Sequence, residues 1–497
     1  MNFLTLSALL SKQAEKYPKK TCIKFENRKI SYSEINKLVD LGAGGFISAG
    51  LKPHERAAIL MDNCPEYIVA YFSILRAGGI AVPLNTFLTA DEIVYILKDA
   101  GCKFLVYGDS FLSSVEHIRE NMPGVKALTI HEIPQTHGHF KDGKDSDTAV
   151  LLYTSGTTGF PKGVMLTNRN LRTNAEACMK VMRLSARDRI LLFLPLFHAF
   201  SFTVCVILPV LSGAAIVLLK SVKPFSKIIK SVIRERITFF VAIPTIYTIL
   251  SKKKMNVFLR YLFRFLLPVR ACISGASALP EQTIHEFEKK FRIPLIEGYG
   301  LTEASPVVAV NPLYGQRKPA SVGPPIPGVK AALIDDEGRR MSAGERGELI
   351  VSGDNVMKGY YNKREETEEV LRDGWLCTGD FARIDEDGYI YIIDRKKDLI
   401  IVDGMNIYPR EVEEVVIQDP SVEECAMVGI PDGRGSEITA LFVKKKEHAF
   451  IDEDRIKKFL KGSVAPYKIP KRIMFIEAFP KTASGKIKKN ELRKWKL

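Results

Sequence analysis

Short apolar runs of strand length alternate with stretches of helical spacing through the first part of the chain. The helical stretches at 66–77 and 91–100 lie between such runs. The strand-like runs are 57–61, 80–83, 104–106, 216–219, 239–242, 271–274 and 294–297. Strands that alternate with helices predict parallel sheets covered by helices on their faces.

The pattern changes from about residue 328. Short strand-like runs at 331–334, 348–351 and 389–393 are separated by Asp-, Glu- and Gly-rich turns, which predict a smaller and mostly antiparallel β unit. After a charged connector at 394–398, the helical stretches 409–418 and 452–460 accompany strands at 422–428 and 439–443. We therefore predict an α/β fold with a large N-terminal body of parallel layers and a smaller β unit, followed by a small α+β C-terminal domain. The predicted domains are 1–394 and 395–497.

Composition and charge narrow the class of protein. A chain of 497 residues is too long for one hydrophobic core, and 46% hydrophobic with 26% charged residues is ordinary for a globular protein. The net charge of +15 favours phosphate-rich ligands, polyanions or an anionic membrane surface. Nucleic-acid binding would need a basic stripe interleaved with stacking aromatics, which is absent. Phosphate-bearing small molecules are the expected partners, and the number of subunits is left open.

Cysteines and histidines give no metal-binding pattern. The eight cysteines are scattered without CxxC or zinc-type spacing, which is typical of small apolar residues in a reducing cytoplasm. His131, His137 and His139 fall in a Gly- and Pro-containing stretch that predicts a loop.

Targeting and membrane signals are weak. No signal peptide is expected, because the first ten residues lack a basic start. The apolar run 190–219 is interrupted by Pro195, His198, Pro209 and Gly213, which favours a buried strand–helix–strand unit over a membrane span. The basic and apolar segment 252–270 predicts a core helix with exposed basic residues, or a helix in a membrane interface. A cytoplasmic protein with peripheral membrane contact is therefore left open.

The most specific motif is the string YTSGTTGFPKG at 153–163, which follows the apolar strand 149–152. Glycines let a backbone approach a phosphate closely, hydroxyls and amides donate hydrogen bonds, and Lys162 adds positive charge. The string lacks the GxxxxGK[ST] pattern of a Walker A loop. It predicts a phosphate-binding loop of another kind.

This string resembles the phosphate loop of the adenylate-forming superfamily, which includes acyl-CoA synthetases, luciferases and the adenylation domains of peptide synthetases. The likeness covers nearly the whole chain and is closest to bacterial long-chain fatty acid–CoA ligases, particularly across 373–397. Cys377 stands where that signature usually has His. The resemblance implies an enzyme that uses ATP, Mg²⁺ and coenzyme A to ligate a carboxylic acid through an acyl-AMP intermediate.

The resemblance also assigns roles to residues of later motifs. Tyr299 would stack on adenine, Asp380 would accept the ribose hydroxyls, and Arg395 would donate near the ribose and phosphate. Thr302 would bond the α-phosphate, and Glu303 would hold Mg²⁺ with Thr158 as a second candidate ligand. The predicted nucleotide-binding residues are Thr154, Ser155, Gly156, Thr157, Thr158, Gly159, Lys162, Gly275, Ala276, Ser277, Glu297, Gly298, Tyr299, Gly300, Asp380 and Arg395.

In this family the reaction has two steps, formation of the acyl-AMP and transfer of the acyl group to coenzyme A. Residues of the C-terminal part contribute to both steps. Lys486, in the string PKTASGK, would bridge the incoming carboxylate and the α-phosphate and so reduce repulsion between two anions. Lys397 would be the hinge about which a mobile C-terminal domain rotates. Gly404 would then line the tunnel for the pantetheine arm.

The substrate is argued from the segment 195–201, PLFHAFS, where an amino acid–activating relative would place an acid for the substrate amine. No Asp or Glu lies there, so an aliphatic acid of medium to long chain is the preferred substrate, and aryl acids remain open. His198, Ala199 and Phe200 are the predicted acyl pocket or gate, although His198 capping a core turn is an equal reading. Transfer to a carrier protein, a silent binding protein and light emission are the competing functions.

Overall fold

The computed structural model describes residues 4–138, 140, 143–154, 161–253, 268–402, 405–431, 437–481 and 487–495. It contains two compact units: the first is Met1–Ala331 with Val351–Leu376, and the second is Ala332–Ile350 with Cys377–Leu497. The two units are defined by contacts between residues, and such contacts do not show where a mobile domain would begin. The boundary between residues 394 and 395 therefore stays a prediction.

Strands run through the whole described chain. The strands up to residue 310 are β1 (Thr21–Phe25), β2 (Arg28–Ser31), β3 (Arg56–Leu60), β4 (Ile80–Pro83), β5 (Phe104–Tyr107), β6 (Lys126–Thr129), β7 (Thr148–Thr154), β8 (Lys162–Thr167), β9 (Arg189–Leu192), β10 (Ala215–Leu218), β11 (Phe239–Ala242), β12 (Ala271–Ser274), β13 (Leu295–Gly300) and β14 (Val307–Val310). The later strands are β15 (Lys330–Ile334), β16 (Arg346–Ser352), β17 (Gly359–Tyr360), β18 (Leu371–Arg372), β19 (Trp375–Ile384), β20 (Ile390–Arg395), β21 (Ile400–Val402), β22 (Met405–Ile407), β23 (Val422–Pro431), β24 (Glu437–Lys445) and β25 (Arg472–Phe475).

Helices separate most of these strands. The α-helices are α1 (Leu6–Lys16), α2 (Tyr32–Ser48), α3 (Pro65–Arg76), α4 (Ala90–Ala100), α5 (Leu112–Asn121), α6 (Asn168–Met182), α7 (Ala199–Phe202), α8 (Leu208–Ser212), α9 (Phe225–Arg234), α10 (Pro244–Lys252), α11 (Glu281–Phe291), α12 (Arg364–Val370), α13 (Pro409–Val416), α14 (Glu453–Leu460) and α15 (Lys489–Leu492). A π-helical stretch, Thr203–Ile207, joins α7 to α8, and a short 3₁₀ turn spans Thr302–Ala304. No described helix is both long enough and apolar enough to cross a bilayer.

Two large sheets organise the first unit. One has the strand order β17-β8-β7-β4-β3-β5-β6, and its central strands β7, β4, β3 and β5 are parallel. The other has the order β14-β13-β12-β11-β9-β10-β1-β2, parallel from β13 to β1 and antiparallel at both edges. Parallel strands need crossover connections, which the intervening helices supply. The predicted parallel α/β body is confirmed.

Helix α6 begins directly after the strand that follows the phosphate loop. Thr167 caps it by accepting a hydrogen bond from the backbone N–H of Asn170, and the Asn170 side chain accepts one from Thr167 N–H, at 3.1 and 2.8 Å. This reciprocal cap fixes where the helix starts. The buried residues of α6 include Asn174, Cys178 and Met182, which belong to the site described below.

The second unit contains shorter sheets. Strand β19 pairs antiparallel with β20, and β23 pairs antiparallel with β24, which in turn pairs parallel with β25. The side chains of Ile400, Val412, Leu441 and Ile456 are buried together in its core. The smaller C-terminal α+β region is therefore present as predicted.

Candidate active site

The phosphate-loop string connects β7 and β8, two strands that pair antiparallel as a β-hairpin. Thr154 at the end of β7 pairs with Lys162 at the start of β8, so the two ends of the loop lie side by side. Behind them, the Tyr153 hydroxyl donates to Asp99 Oδ2 at 2.6 Å. Ser155, Gly156, Thr157, Thr158 and Gly159 lie outside the described residues, and their predicted contacts with phosphate stay a prediction.

A tyrosine that the sequence analysis did not single out joins this hairpin to Glu303. Strand β17 pairs with β8, with Tyr360 opposite Val164, and the Lys162 ammonium lies 5.4 Å from the centroid of the Tyr360 ring. The Tyr360 hydroxyl donates to Glu303 Oε1 at 3.0 Å. Burial and the adjacent Glu303 charge both raise the pKa of Tyr360, so this hydroxyl keeps its proton and remains a donor.

Thr302 and Glu303 lie in the 3₁₀ turn between β13 and β14. The turn is tight: Leu301 N–H donates to the carbonyl of Pro306 at 2.9 Å, and a Cβ on Gly300 would overlap that same carbonyl oxygen. Glycine is therefore required at 300 for close backbone approach. The predicted α-phosphate and Mg²⁺ residues thus sit on a rigid turn.

Two buried asparagines hold the residues that follow Glu303. The amide of Asn174, on α6, donates to the carbonyl of Val307 at 2.7 Å and accepts from Val307 N–H at 3.2 Å. Asn355 donates to the carbonyl of Ala304 at 2.9 Å. Asn174 and Asn355 are 1% and 2% exposed, so these amides contact protein instead of water. We call this pair the asparagine clamp.

The predicted adenine-side residues lie at the carboxyl ends of β12 and β13. Gly275 follows β12, and a Cβ there would come within 2.7 Å of the Phe200 ring. Ala276 has a left-handed backbone, with φ 73°. The buried carboxylate of Glu297 accepts from the backbone N–H of Leu279 at 2.9 Å, so it anchors the loop that carries Ala276 and Ser277 to β13.

A cavity opens beside these glycines. Its empty space, counted out to the mouth, is about 600 Å³. Its described lining comes from α6, the stretch from α7 to α8, β12 and its following loop, β13, and the region of β14, and includes Gly275, Ala276, Gly298, Tyr299 and Gly300. None of these lining side chains is charged. The cavity suits an apolar ligand whose end lies next to the predicted nucleotide residues.

The three predicted acyl-gate residues separate in the structure. Phe200 lines the large cavity. Ala199 lines a smaller apolar cavity of about 230 Å³, together with Phe197 and Tyr71. His198 is not among the described residues that line either cavity. Its ring centroid lies 4.3 Å from that of Phe197. A gating role for His198 and Ala199 stays a prediction.

The second unit holds the predicted ribose residues as a pair. Asp380 on β19 lies directly opposite Arg395 on β20, and Arg395 Nε is 3.2 Å from Asp380 Oδ1. The carboxylate is 5% exposed and Arg395 about half exposed. Burial lowers the pKa of Lys397, whose carbonyl accepts from Arg493. Gly404 and Lys486 lie outside the described residues.

The residues around Glu303 fit a magnesium ion that arrives with a nucleotide. Among the described residues, no group of three or more His, Cys, Asp or Glu side chains could hold a metal. Mg²⁺ in nucleotide sites is bound through one or two carboxylates together with substrate phosphates. A single partly exposed carboxylate, held by Tyr360 on a residue that directly follows Thr302 in the chain, matches that need.

Sequence reasoning missed Tyr360, Asn174 and Asn355. Asn174 lies on the buried face of α6 and Tyr360 in a strand of two residues. A polar residue on an apolar helix face was a usable signal for Asn174. The strand at 359–360 is too short to show a period, so nothing in the pattern indicated Tyr360.

Comparison with known proteins gives the family of the chain. A family model described as AMP-binding enzyme matches residues 10–361, and one described as AMP-binding enzyme C-terminal domain matches residues 411–486. A long-chain-fatty-acid–CoA ligase of Bacillus subtilis is 36% identical, over 98% of this chain and 94% of its own. A feruloyl-CoA synthase of an Amycolatopsis species is 33% identical, over 97% of both chains. The crystal structure of ATP-bound MatB from Rhodopseudomonas palustris has a TM-score of 0.90 at 31% identity, over 99% of this chain and 98% of that one.

The chain belongs to the AMP-binding enzyme family. Within that family it is an acid–CoA ligase that works through an adenylate. Enzymes of this class use ATP, Mg²⁺ and coenzyme A, so the predicted family and cofactors are confirmed.

Proposed function

We propose that the protein ligates a medium- to long-chain fatty acid to coenzyme A through an acyl-AMP intermediate. The observation that carries this proposal is the cavity of about 600 Å³, whose described lining has no charged side chain. A charge-free wall favours a hydrocarbon tail, because a polar or ionic tail would lose its hydration without gaining partners. The likeness to the Bacillus subtilis ligase supports the same substrate class.

In the first half-reaction the carboxylate attacks the α-phosphorus of ATP and pyrophosphate leaves. We assign the Thr302 hydroxyl to the α-phosphate and the phosphate loop with Lys162 to the leaving phosphates. Glu303 would hold Mg²⁺, which when bound neutralises phosphate charge. Tyr360 orients the Glu303 carboxylate through its hydrogen bond. Lys486 would stabilise the charge that develops between the two anions.

In the second half-reaction the coenzyme A thiol attacks the acyl carbon and AMP leaves. We assign ribose binding to Asp380, whose carboxylate is held by Arg395. Lys397 is the proposed hinge between the two half-reactions, and Gly404 the proposed point of close approach for the pantetheine arm.

A second candidate is an aryl acid–CoA ligase. The feruloyl-CoA synthase relative favours it, and so do the aromatic side chains of Phe200 and Tyr299 in the cavity lining. Both candidates predict pyrophosphate release and a thioester, and they differ only in the acid. Transfer of the acyl group to a carrier protein would instead give pyrophosphate without a coenzyme A thioester.

The test is pyrophosphate release over a panel of straight-chain and aromatic acids, each measured with and without coenzyme A, with the thioester identified by mass spectrometry. Straight-chain acids giving pyrophosphate and thioester would support the proposal. Preference for aromatic acids would move the aryl candidate ahead. Pyrophosphate without thioester for every acid would support the carrier-protein alternative and contradict the proposal.

A further inference from the structure

The cavity extends away from the Glu303 turn, along three segments of the chain that line it. Asn174 on α6 contacts Val307, and nine residues later Arg183 lies with its guanidinium 4.4 Å from the centroid of the Tyr314 ring. The chain between Val307 and Tyr314 therefore approaches α6 at Asn174 and again just past the last residue of the helix. At the near end Thr203 donates to the carbonyl of Ser305, and the stretch to Leu208 forms the third wall.

The spacing of residues along helix α6 gives approximate distances along this cavity. Asn174, Cys178 and Met182 stand four residues apart on its buried face, and the latter two line the cavity. At 1.5 Å per residue, Cys178 lies about 6 Å and Met182 about 12 Å beyond the clamp. A straight apolar tail whose carboxylate lies near Gly300 would pass Cys178 first and Met182 second.

A cluster of charged side chains lies just past Met182, outside the described cavity lining. Helix α6 ends there, and Arg183 takes a left-handed conformation with φ 47°. Arg270 donates to the carbonyl of Arg183 at 3.2 Å and pairs with Asp188 at 2.9 Å. A hydrocarbon tail that reached this cluster would desolvate charges without compensating them. Met182 is therefore the last apolar side chain of α6 that a tail can contact.

We propose that Cys178 and Met182 determine the length of the acyl chain that the enzyme accepts. This inference rests on the proposed function, since it concerns the same cavity and its apolar substrate. In this proposal the small Cys178 side chain leaves room for the tail at the first helical turn, and the longer Met182 side chain limits it at the second. An unbranched thioether side chain adapts its shape, so Met182 forms a soft end wall.

The first test measures kcat/KM for saturated acids of increasing length. Met182→Ala should shift the optimum to longer acids, by about fourfold in kcat/KM for each additional methylene that becomes buried. Cys178→Phe should shift it in the opposite direction, because the ring would block the passage four residues, about 6 Å, before Met182. The matched control is Met179→Ala, on the same helix but outside the described cavity lining.

A second measurement keeps the test decisive if a variant loses turnover. Binding of non-hydrolysable acyl-sulfamate analogues of AMP, graded in chain length, is measured by calorimetry, with Cys178→Leu as a milder alternative to the ring. Opposite shifts in the preferred length for the two positions support the inference. Length profiles that match that of Met179→Ala for both positions overturn it.

Failure of the inference is distinguishable from failure of the proposed function. If the wild-type enzyme takes fatty acids and neither substitution moves the profile, the function stands and the inference is wrong. If the wild-type enzyme takes only aromatic acids, the fatty-acid proposal is wrong. Aromatic acids with para-alkyl chains of increasing length then test the same two side chains.

Discussion

A hydrogen bond from Tyr360 orients the carboxylate of Glu303, the proposed Mg²⁺ ligand. The phenol donates to one carboxylate oxygen at 3.0 Å, while the Lys162 ammonium lies over the phenol ring. The raised pKa of Tyr360 means that this donor stays protonated across the working pH range. The carboxylate is thereby fixed in direction without being neutralised.

Replacing this donor should weaken the first half-reaction more than the fold. Tyr360→Phe removes one hydrogen bond to a charged group, worth about 1.5–3 kcal/mol. We expect pyrophosphate release to fall about tenfold or more, and the Mg²⁺ concentration for half-maximal rate to rise. Tyr361→Phe is the neighbouring control. Equal Mg²⁺ dependence in the two variants would argue against a role for Tyr360 in holding Glu303.

Two glycines of β13 should respond differently to the same substitution. A Cβ at Gly300 would overlap the backbone carbonyl of Pro306, whereas one at Gly298 would meet its nearest atom at an ordinary 3.4 Å. Gly300→Ala should displace the turn that carries Glu303 and nearly abolish adenylation, and Gly298→Ala should cost less. Thermal unfolding and pyrophosphate release, measured together, check this. Equal losses in both variants would contradict the steric argument.

At the scale of elements, α6 connects the phosphate-loop hairpin to the Glu303 turn. The helix starts at the cap that follows β8, and its Asn174 holds both polar groups of Val307. Asn170, one turn earlier, donates to the carbonyls of Asp354 and Val356 beside the second clamp residue. One helix thus sets the spacing of three loops that are distant in the sequence.

Loss of the clamp should therefore affect both stability and chemistry. Asn174→Ala removes the acceptor of the buried Val307 N–H and one donor to the Val307 carbonyl, and should destabilise the first unit by about 3 kcal/mol. Adenylation should fall further than the folded fraction does, because the turn loses its fixed position. Ser73→Ala, which removes a buried hydroxyl bonded to Val39 elsewhere in the unit, is the control. Activity that merely follows the folded fraction in both variants would show a purely structural role.

The elements best predicted from the sequence are those with a clear local pattern. The runs at 80–83, 239–242 and 271–274 coincide with strands, because buried parallel strands are continuous apolar stretches bounded by turns. The structure of the predicted acyl gate, residues 198–200, was harder to predict. Ala199 and Phe200 are successive residues of a four-residue helix, so their side chains point in different directions and line different cavities.

The site was recognisable wherever its residues form short contiguous motifs. Thr154 and Lys162 face each other because their string is a hairpin, and Asp380 faces Arg395 because two strands pair in register. The clamp joins residues about 130 apart in sequence, and such contacts arise only from the packing of distant elements. The large cavity likewise arises only from the packing of distant elements, because five separate segments of the chain line it.

At the scale of the whole molecule, a single substitution should slow one half-reaction and leave the other nearly unchanged. Lys486 is proposed to act only while two anions approach each other, so Lys486→Ala should reduce pyrophosphate release by about 10²–10³-fold. Thioester formation from supplied acyl-AMP and coenzyme A should remain near the wild-type rate, because that step brings a thiol to an acyl carbon already activated. Lys494→Ala, an exposed lysine of the same tail, controls for loss of charge. If both half-reactions fell together in Lys486→Ala, the lysine would serve nucleotide binding in general, and the division of labour proposed here would be wrong.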